Sequence, residues 1–259
     1  FYNLFVPLAS EWTVFNVFRY ISFRSSAALI TALVLSILIG PRFIGWLRSL
    51  KCGQYIHEDV AAHACKAGTP TMGGLMFILG IGIAVLTAGW GDLQRGLHNH
   101  LVVFLFALVF GAIGFVDDYI KVVKKRNLGL TSGQKMFAQL LVSGGYALSL
   151  YLAGGTATYI PFVGTVDFGI WFIPFCMFLV VGYVNLTDGI DGLCGTVSFI
   201  VFLFFLVTAG VLGYFGQGLV AAAMAGALAG FLVWNLHPAK VFMGDTGSLF
   251  IGGVLCAVA

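Results

Sequence analysis

Long apolar runs alternate along this chain with short polar breaks, and its charges gather in the breaks. A helix needs about 20 mostly apolar residues to cross a bilayer core. On that scale the pattern predicts membrane spans near residues 26–47, 73–90, 100–117, 134–153, 169–187, 193–213 and 217–236, with an eighth beginning near 246. The eighth is still running at Ala259 in IGGVLCAVA, so the expectation is a single integral membrane domain over 1–259 that continues beyond the given sequence. Residues 1–20 mix Trp12, Phe15 and Phe18 with Arg19, a pattern suited to a helix lying in the membrane interface.

Composition sharpens the class. Hydrophobic residues make up 60% of the chain and charged ones 9%, against roughly 25% charged in a soluble domain, and the mean hydropathy is +1.01. The fold class is therefore all-α polytopic membrane protein, with about eight transmembrane helices in this chain. A net charge of +3 without a basic tract argues against a nucleic-acid partner. The five cysteines form no metal-like spacing and read as small apolar packers.

Basic residues set the orientation. Ten of the thirteen Lys and Arg fall after the first, third, fifth and seventh spans; only Arg19, Arg24 and Arg95 lie on the other side. The first side is expected to be cytoplasmic, with the N-terminus outside. Five of the ten acids, Asp117, Asp118, Asp188, Asp191 and Asp245, collect on that same side at span ends. Ionisable groups at membrane depth are costly and mark function.

Three stretches carry these acids. In VDDYIK (116–121) the adjacent Asp117 and Asp118 point about 100° apart on a helix, so they should have different partners. In NLTDGIDG (185–192) Asp188 and Asp191 either stack at i, i+3 on one helical face or sit where Gly189 and Gly192 break the helix. In FMGDTGS (242–248) Asp245 either caps a helix or offers a carboxylate to a hard cation such as Mg²⁺. A fourth stretch, GTPTMGG (68–74), has amides suited to a phosphate nest at a helix start, and Lys66, Lys121 and Lys135 supply positive charge nearby. His57 and His63 read as solvated loop residues, whereas His237 lies near the acids. Carboxylates, a cation and lysines at a membrane face suit phosphate chemistry between a cytosolic and a lipid substrate.

With FNVFRYISFR (15–24), GTPTMGG, GFVDDYIKV (114–122), NLTDGIDGL (185–193) and HPAKVFMGDTGSL (237–249) in order, the chain resembles the polyprenyl-phosphate sugar-1-phosphate transferases, and among them the phospho-N-acetylmuramoyl-pentapeptide transferases. The resemblance implies a bacterial inner-membrane enzyme of ten helices, usually a homodimer, with its active site facing the cytoplasm. It implies transfer of phospho-MurNAc-pentapeptide from UDP-MurNAc-pentapeptide to undecaprenyl phosphate, giving lipid I and UMP with Mg²⁺. By motif, Asp245 would hold the metal, while Asp117, Asp118 and Asp188 would be catalytic. Asn185, Asp191 and Phe242 would line the nucleotide site, Lys66, Lys121 and Lys135 would hold the phosphates, and Thr71 and Asn235 would also bind substrate. Against the family pattern, Tyr183 and Val184 directly precede Asn185, the loop EDVAAHACK (58–66) lacks a Gly-Pro, and no late histidine-rich loop appears. Direct attack by the lipid phosphate and a two-step route through an aspartate both remain open. A sibling transferase using UDP-N-acetylglucosamine is the near alternative, and an ion-coupled transporter the distant one.

Overall fold

The computed structural model describes residues 5–50, 68–124, 129–152, 157–160, 163–167 and 169–259. Eight long helices follow the predicted apolar runs: α1 (Ile21–Ser49), α2 (Gly74–Ala88), α4 (Asn99–Val123), α5 (Ser132–Leu152), α6 (Phe172–Thr187), α7 (Leu193–Leu212), α8 (Phe215–Asn235) and α9 (Gly244–Val258), with a single-turn α3 (Trp90–Gln94) between α2 and α4. Of these, α1, α4, α7 and α8 are long and apolar enough to span a membrane, and α2, α9 and the part of α6 from Met177 are shorter apolar helices. Within the segment expected to hold an interfacial helix, of which residues 1–4 lie outside the described residues, two 3₁₀ helices form, Pro7–Ser10 and Thr13–Arg19. A hairpin that the apolar pattern did not announce joins α5 to α6: β1 (Ala157–Ile160) pairs antiparallel with β2 (Gly164–Asp167).

Helix α8 is the hub. Its AAAMAGALAG segment is buried throughout except at Ala229, because small residues let neighbouring backbones approach where lipid gives no hydrophobic drive between helices. Gly226 lies so close to the Leu29 carbonyl of α1 that a Cβ would collide with it. Beneath the acidic end, Phe77 of α2 meets Phe231 of α8 edge-on at 5.2 Å, and Phe104 of α4 meets Phe250 of α9 at 6.0 Å. These contacts hold α2 against α8 and α4 against α9, and α4 and α9 carry Asp117, Asp118 and Asp245.

Two polar levels flank the apolar core. Near the start of α4, Arg24 Nη1 lies 2.9 Å from Asp92 Oδ1, both side chains buried, and the buried His100 packs beside Gly89. From His100 to Asp118 is 18 residues along α4, or about 27 Å, close to the roughly 30 Å of a hydrocarbon core. The ion pair and the acids thus lie about one hydrocarbon thickness apart along α4. Breaking a buried pair strands a charge, so Asp92→Ala is expected to lower stability by on the order of 3 kcal/mol. Thermal unfolding in detergent measures this, and an Arg24→Met, Asp92→Leu double variant should recover most of the loss.

Candidate active site

The site begins with where α4 ends. Its helix runs past the expected boundary at 117 to Val123, so Asp117 and Asp118 sit within the last turns rather than at the mouth, and both are buried. Continuing the helix places Lys121 one turn beyond Asp117, and its Nζ lies 2.6 Å from Asp117 Oδ2. The next helix supplies a second cation. Thr131 Oγ1 accepts from the Gln134 amide at 3.3 Å, and Gln134 Oε1 accepts from the Thr131 amide at 3.0 Å. This capping box starts α5 and fixes Lys135 in its first turn. Lys135 Nζ then lies 2.6 Å from Asp245 Oδ2 and 3.5 Å from Asp117 Oδ2.

Asp245 is the meeting point. It occupies the first turn of α9, where a carboxylate is favoured by the helix dipole. Its Oδ2 accepts from Lys121 at 2.9 Å as well as from Lys135, and its Oδ1 accepts from Asn185 Nδ2 at 2.8 Å. The same Asn185 amide donates to Ser248 Oγ at 2.8 Å, and that hydroxyl donates to the Gly244 carbonyl at 3.2 Å. Asp117 Oδ1 also accepts from the Leu130 amide at 2.7 Å. Carboxylate oxygens of Asp117, Asp118 and Asp245 come within 4.8 Å of one another, an all-oxygen set of the kind hard cations prefer.

The polar loop after α6 takes the broken form. The helix stops at Thr187, and Gly192 adopts φ +74 before α7 begins. Asp188 and Asp191 consequently do not stack on one helical face. Burial and the negative charges of Asp245 and Asp118 push the Asp188 carboxyl well above the usual carboxylate range. Asp191 instead lies 3.2 Å from His237 Nδ1 and accepts from the Ala239 amide at 3.3 Å. Asn235, expected to face substrate, is 2% exposed. Its Oδ1 accepts from the Gly192 amide at 3.1 Å and its Nδ2 donates to the Val241 carbonyl at 2.9 Å. The residue bolts two loops together, which leaves its amide little to offer a ligand.

GTPTMGG also proves partly structural. The Gly73 and Gly74 amides donate to the carbonyls of Phe242 and Met243 at 2.8 and 2.9 Å, and the Phe242 amide donates to Pro70 at 2.9 Å. Two amides of the anticipated phosphate nest are therefore committed to holding the loop before α9. Thr71 and Phe242 are half-buried beside that strap. Lys66, with His57 and His63, lies outside the described residues. Thr246 and Ser248 lie in the first turns of α9. Their partners Asp118 and Asn185 come from other helices.

Known proteins carry the same pattern. The profile described as glycosyl transferase family 4 matches residues 100–259, and signature 1 of the phospho-N-acetylmuramoyl-pentapeptide-transferases matches residues 66–78. The chain is 49% identical to the phospho-N-acetylmuramoyl-pentapeptide-transferase of Solidesulfovibrio magneticus and 50% identical to that of Desulfovibrio desulfuricans, in each case over 98% of this chain and 76% of the relative. The enzyme of that name from Halalkalibacterium halodurans is 45% identical over 89% of this chain and 73% of its own length. Identity at this level across nearly every helix, with the signature lying on the strap that holds Asp245 in place, means that the chain belongs to the phospho-N-acetylmuramoyl-pentapeptide-transferase family.

Proposed function

We infer that this chain transfers phospho-MurNAc-pentapeptide from UDP-MurNAc-pentapeptide to undecaprenyl phosphate, forming lipid I and UMP in peptidoglycan synthesis. The observation that carries the reading within the site is the junction of Asp117 and Asp245 with Lys121 and Lys135, drawn from α4, α5 and α9. Two cations meeting two acids at one membrane level suit a reaction in which phosphate charge must be held on both donor and acceptor.

Mg²⁺ is the cofactor in this reading, since the donors are carboxylate oxygens and the remaining ligands would be water and phosphate oxygen. Asp245 and Asp117 would hold it, and when bound it neutralises charge on the transferring diphosphate. Asn185 keeps the Asp245 carboxylate turned toward the junction. Lys121 and Lys135 balance the acids before substrate arrives and hold phosphate oxygens afterwards. Phe242, half-buried next to the strap, is the candidate for stacking on the uracil. Asp117 positions the lipid phosphate, which near neutral pH is already largely ionised and attacks directly. A two-step route would need an aspartate nucleophile such as Asp188. The reading places the site at the cytoplasmic face of a bacterial membrane, following the basic residues, and treats a homodimer as the working form.

The test is UMP release by the purified protein with undecaprenyl phosphate and Mg²⁺, given UDP-MurNAc-pentapeptide or UDP-N-acetylglucosamine in parallel. Turnover with the pentapeptide donor alone, abolished by chelation and restored by Mg²⁺, is expected. Turnover with the other donor would move the chain to a sibling activity, and a trapped phosphoryl-aspartate would replace direct attack with two steps.

A further inference from the structure

The two adjacent acids of α4 face different groups. Asp117 faces the lysines, whereas Asp118 faces backbone. A helix start leaves its first amides without partners inside the helix, and the residue before α9, Met243, provides no side-chain cap among the described residues. Asp245 cannot serve, because its carboxylate is turned to Lys121, Lys135 and Asn185. The cap comes from α4. Asp118 Oδ1 accepts from the Asp245 amide at 3.2 Å, and its Oδ2 accepts from the Thr246 amide at 2.9 Å and the Thr246 hydroxyl at 2.7 Å.

Those three bonds use most of the roughly four lone-pair sites of a carboxylate, and the side chain is buried. The packing around it has no slack. Gly244 has φ +73, and a Cβ there would stand 2.6 Å from Asp118 Oδ2 and 2.8 Å from Thr71 Oγ1. One turn earlier on α4, a Cβ on Gly114 would run into the Asp245 carbonyl.

We propose that Asp118 is a positioning residue of the transfer reaction: by capping α9 across the helix interface through the Asp245 and Thr246 amides and the Thr246 hydroxyl, it sets where the Asp245 carboxylate stands. Asp118 neither ligates the metal nor touches the reacting phosphates. The inference rests on the transferase reading above for its kinetic readout, and separates from it in a binding readout. It assigns the adjacent acids distinct tasks, with Asp117 facing the chemistry and Asp118 holding the helix that carries the chemistry's other acid.

Thr246→Val removes one bond to Asp118 while leaving its charge, and Thr246→Ser keeps that bond. With Thr246→Val, kcat is expected to fall about tenfold, the equivalent of one hydrogen bond, with donor KM within about twofold of wild type. Thr246→Ser should recover most of that loss. Asp118→Asn should fall further, and adding Thr246→Val to it should change little, since both act through one contact. Mn²⁺ binding to the substrate-free protein, read by electron paramagnetic resonance, should keep its stoichiometry in every variant, with affinity weakening in the same rank order as kcat. Wild-type kcat in Thr246→Val, or additive losses in the double variant, would overturn the proposal. So would loss of Mn²⁺ from Asp118→Asn while Thr246→Val binds it normally, because that is how a metal ligand behaves. Were wild type to release no UMP from the pentapeptide donor, the transferase reading would fail, and the Mn²⁺ series would still decide whether Asp118 acts on Asp245 or on the ion.

Discussion

Asp245→Ala is expected to lower UMP release by about 10³-fold or more, the largest effect of any single side chain in this protein. The magnitude follows from what converges there. Asp245 accepts from Lys121, Lys135 and Asn185, and a carboxylate–cation centre contributes several kcal/mol of charge stabilisation in phosphoryl transfer, each 1.36 kcal/mol being tenfold in rate. Removing it also leaves two ammonium groups sharing Asp117 alone, with Lys135 already 3.5 Å from that acid. Asp245→Asn separates the charge from the shape, since it keeps an oxygen for Asn185 while lowering the negative charge offered to the lysines. It should be nearly as inactive as the alanine variant, with a far-UV spectrum like that of wild type. Glu11→Ala, at an exposed position near the N-terminus, serves as the control and should be silent. Residual turnover above about a tenth of wild type in Asp245→Asn would move the metal and the phosphates to other residues.

The second large effect comes from a residue with no functional group. Gly114→Ala should reduce turnover by about 10²-fold, because displacements near 1 Å from a productive geometry cost that much. A Cβ at 114 would meet the Asp245 carbonyl and stand 2.6 Å from the Thr246 amide. Both are backbone groups of a helix wedged between α4 and α2, where a Cβ on Gly74 would likewise run into Gly247. With no flexible side chain to give way, the start of α9 must shift and carry Asp245 with it. Gly111→Ala, one turn back on α4, is the graded comparison. Its Cβ would stand 3.3 Å from the Phe250 Cβ, a tight contact that relaxes by small adjustments, so its loss should stay below about tenfold. Equal and wild-type-like rates for the two variants would mean that the seat of α9 does not control the chemistry.

Much of this arrangement was legible in the residue order, and the limits have a physical cause. Among the described residues, eight helices follow the apolar runs, since a segment's affinity for lipid is a property of its own composition and length. The gathering of Asp117, Asp118, Asp188, Asp191 and Asp245 at one level followed from charge segregation about those runs. The broken form of NLTDGIDG was present among the alternatives because glycine spacing is local. What escaped was also local in places: the TSGQ capping box that aims Lys135 is written in residues 131–134, and the strands Ala157–Ile160 and Gly164–Asp167 are too short to stand out among the long apolar runs.

The rest depended on which helix lies beside which. Asp118 and Thr246 are 128 residues apart in the chain, and Asn185 reaches Asp245 across 60. Spacing within one helix shows that Asp117 and Asp118 diverge, but not that one would turn to lysines and the other to the backbone of α9. Asn235 illustrates the same point. The resemblance placed it among the substrate-binding residues, and its two side-chain hydrogen bonds to Gly192 and Val241 tie two loops together. Membrane class, helix order and the level at which the acids collect follow from each segment's own partition between lipid and water, and so could be read from the residue order. Which groups face each carboxylate depends on tertiary packing, because most of those donors come from other helices.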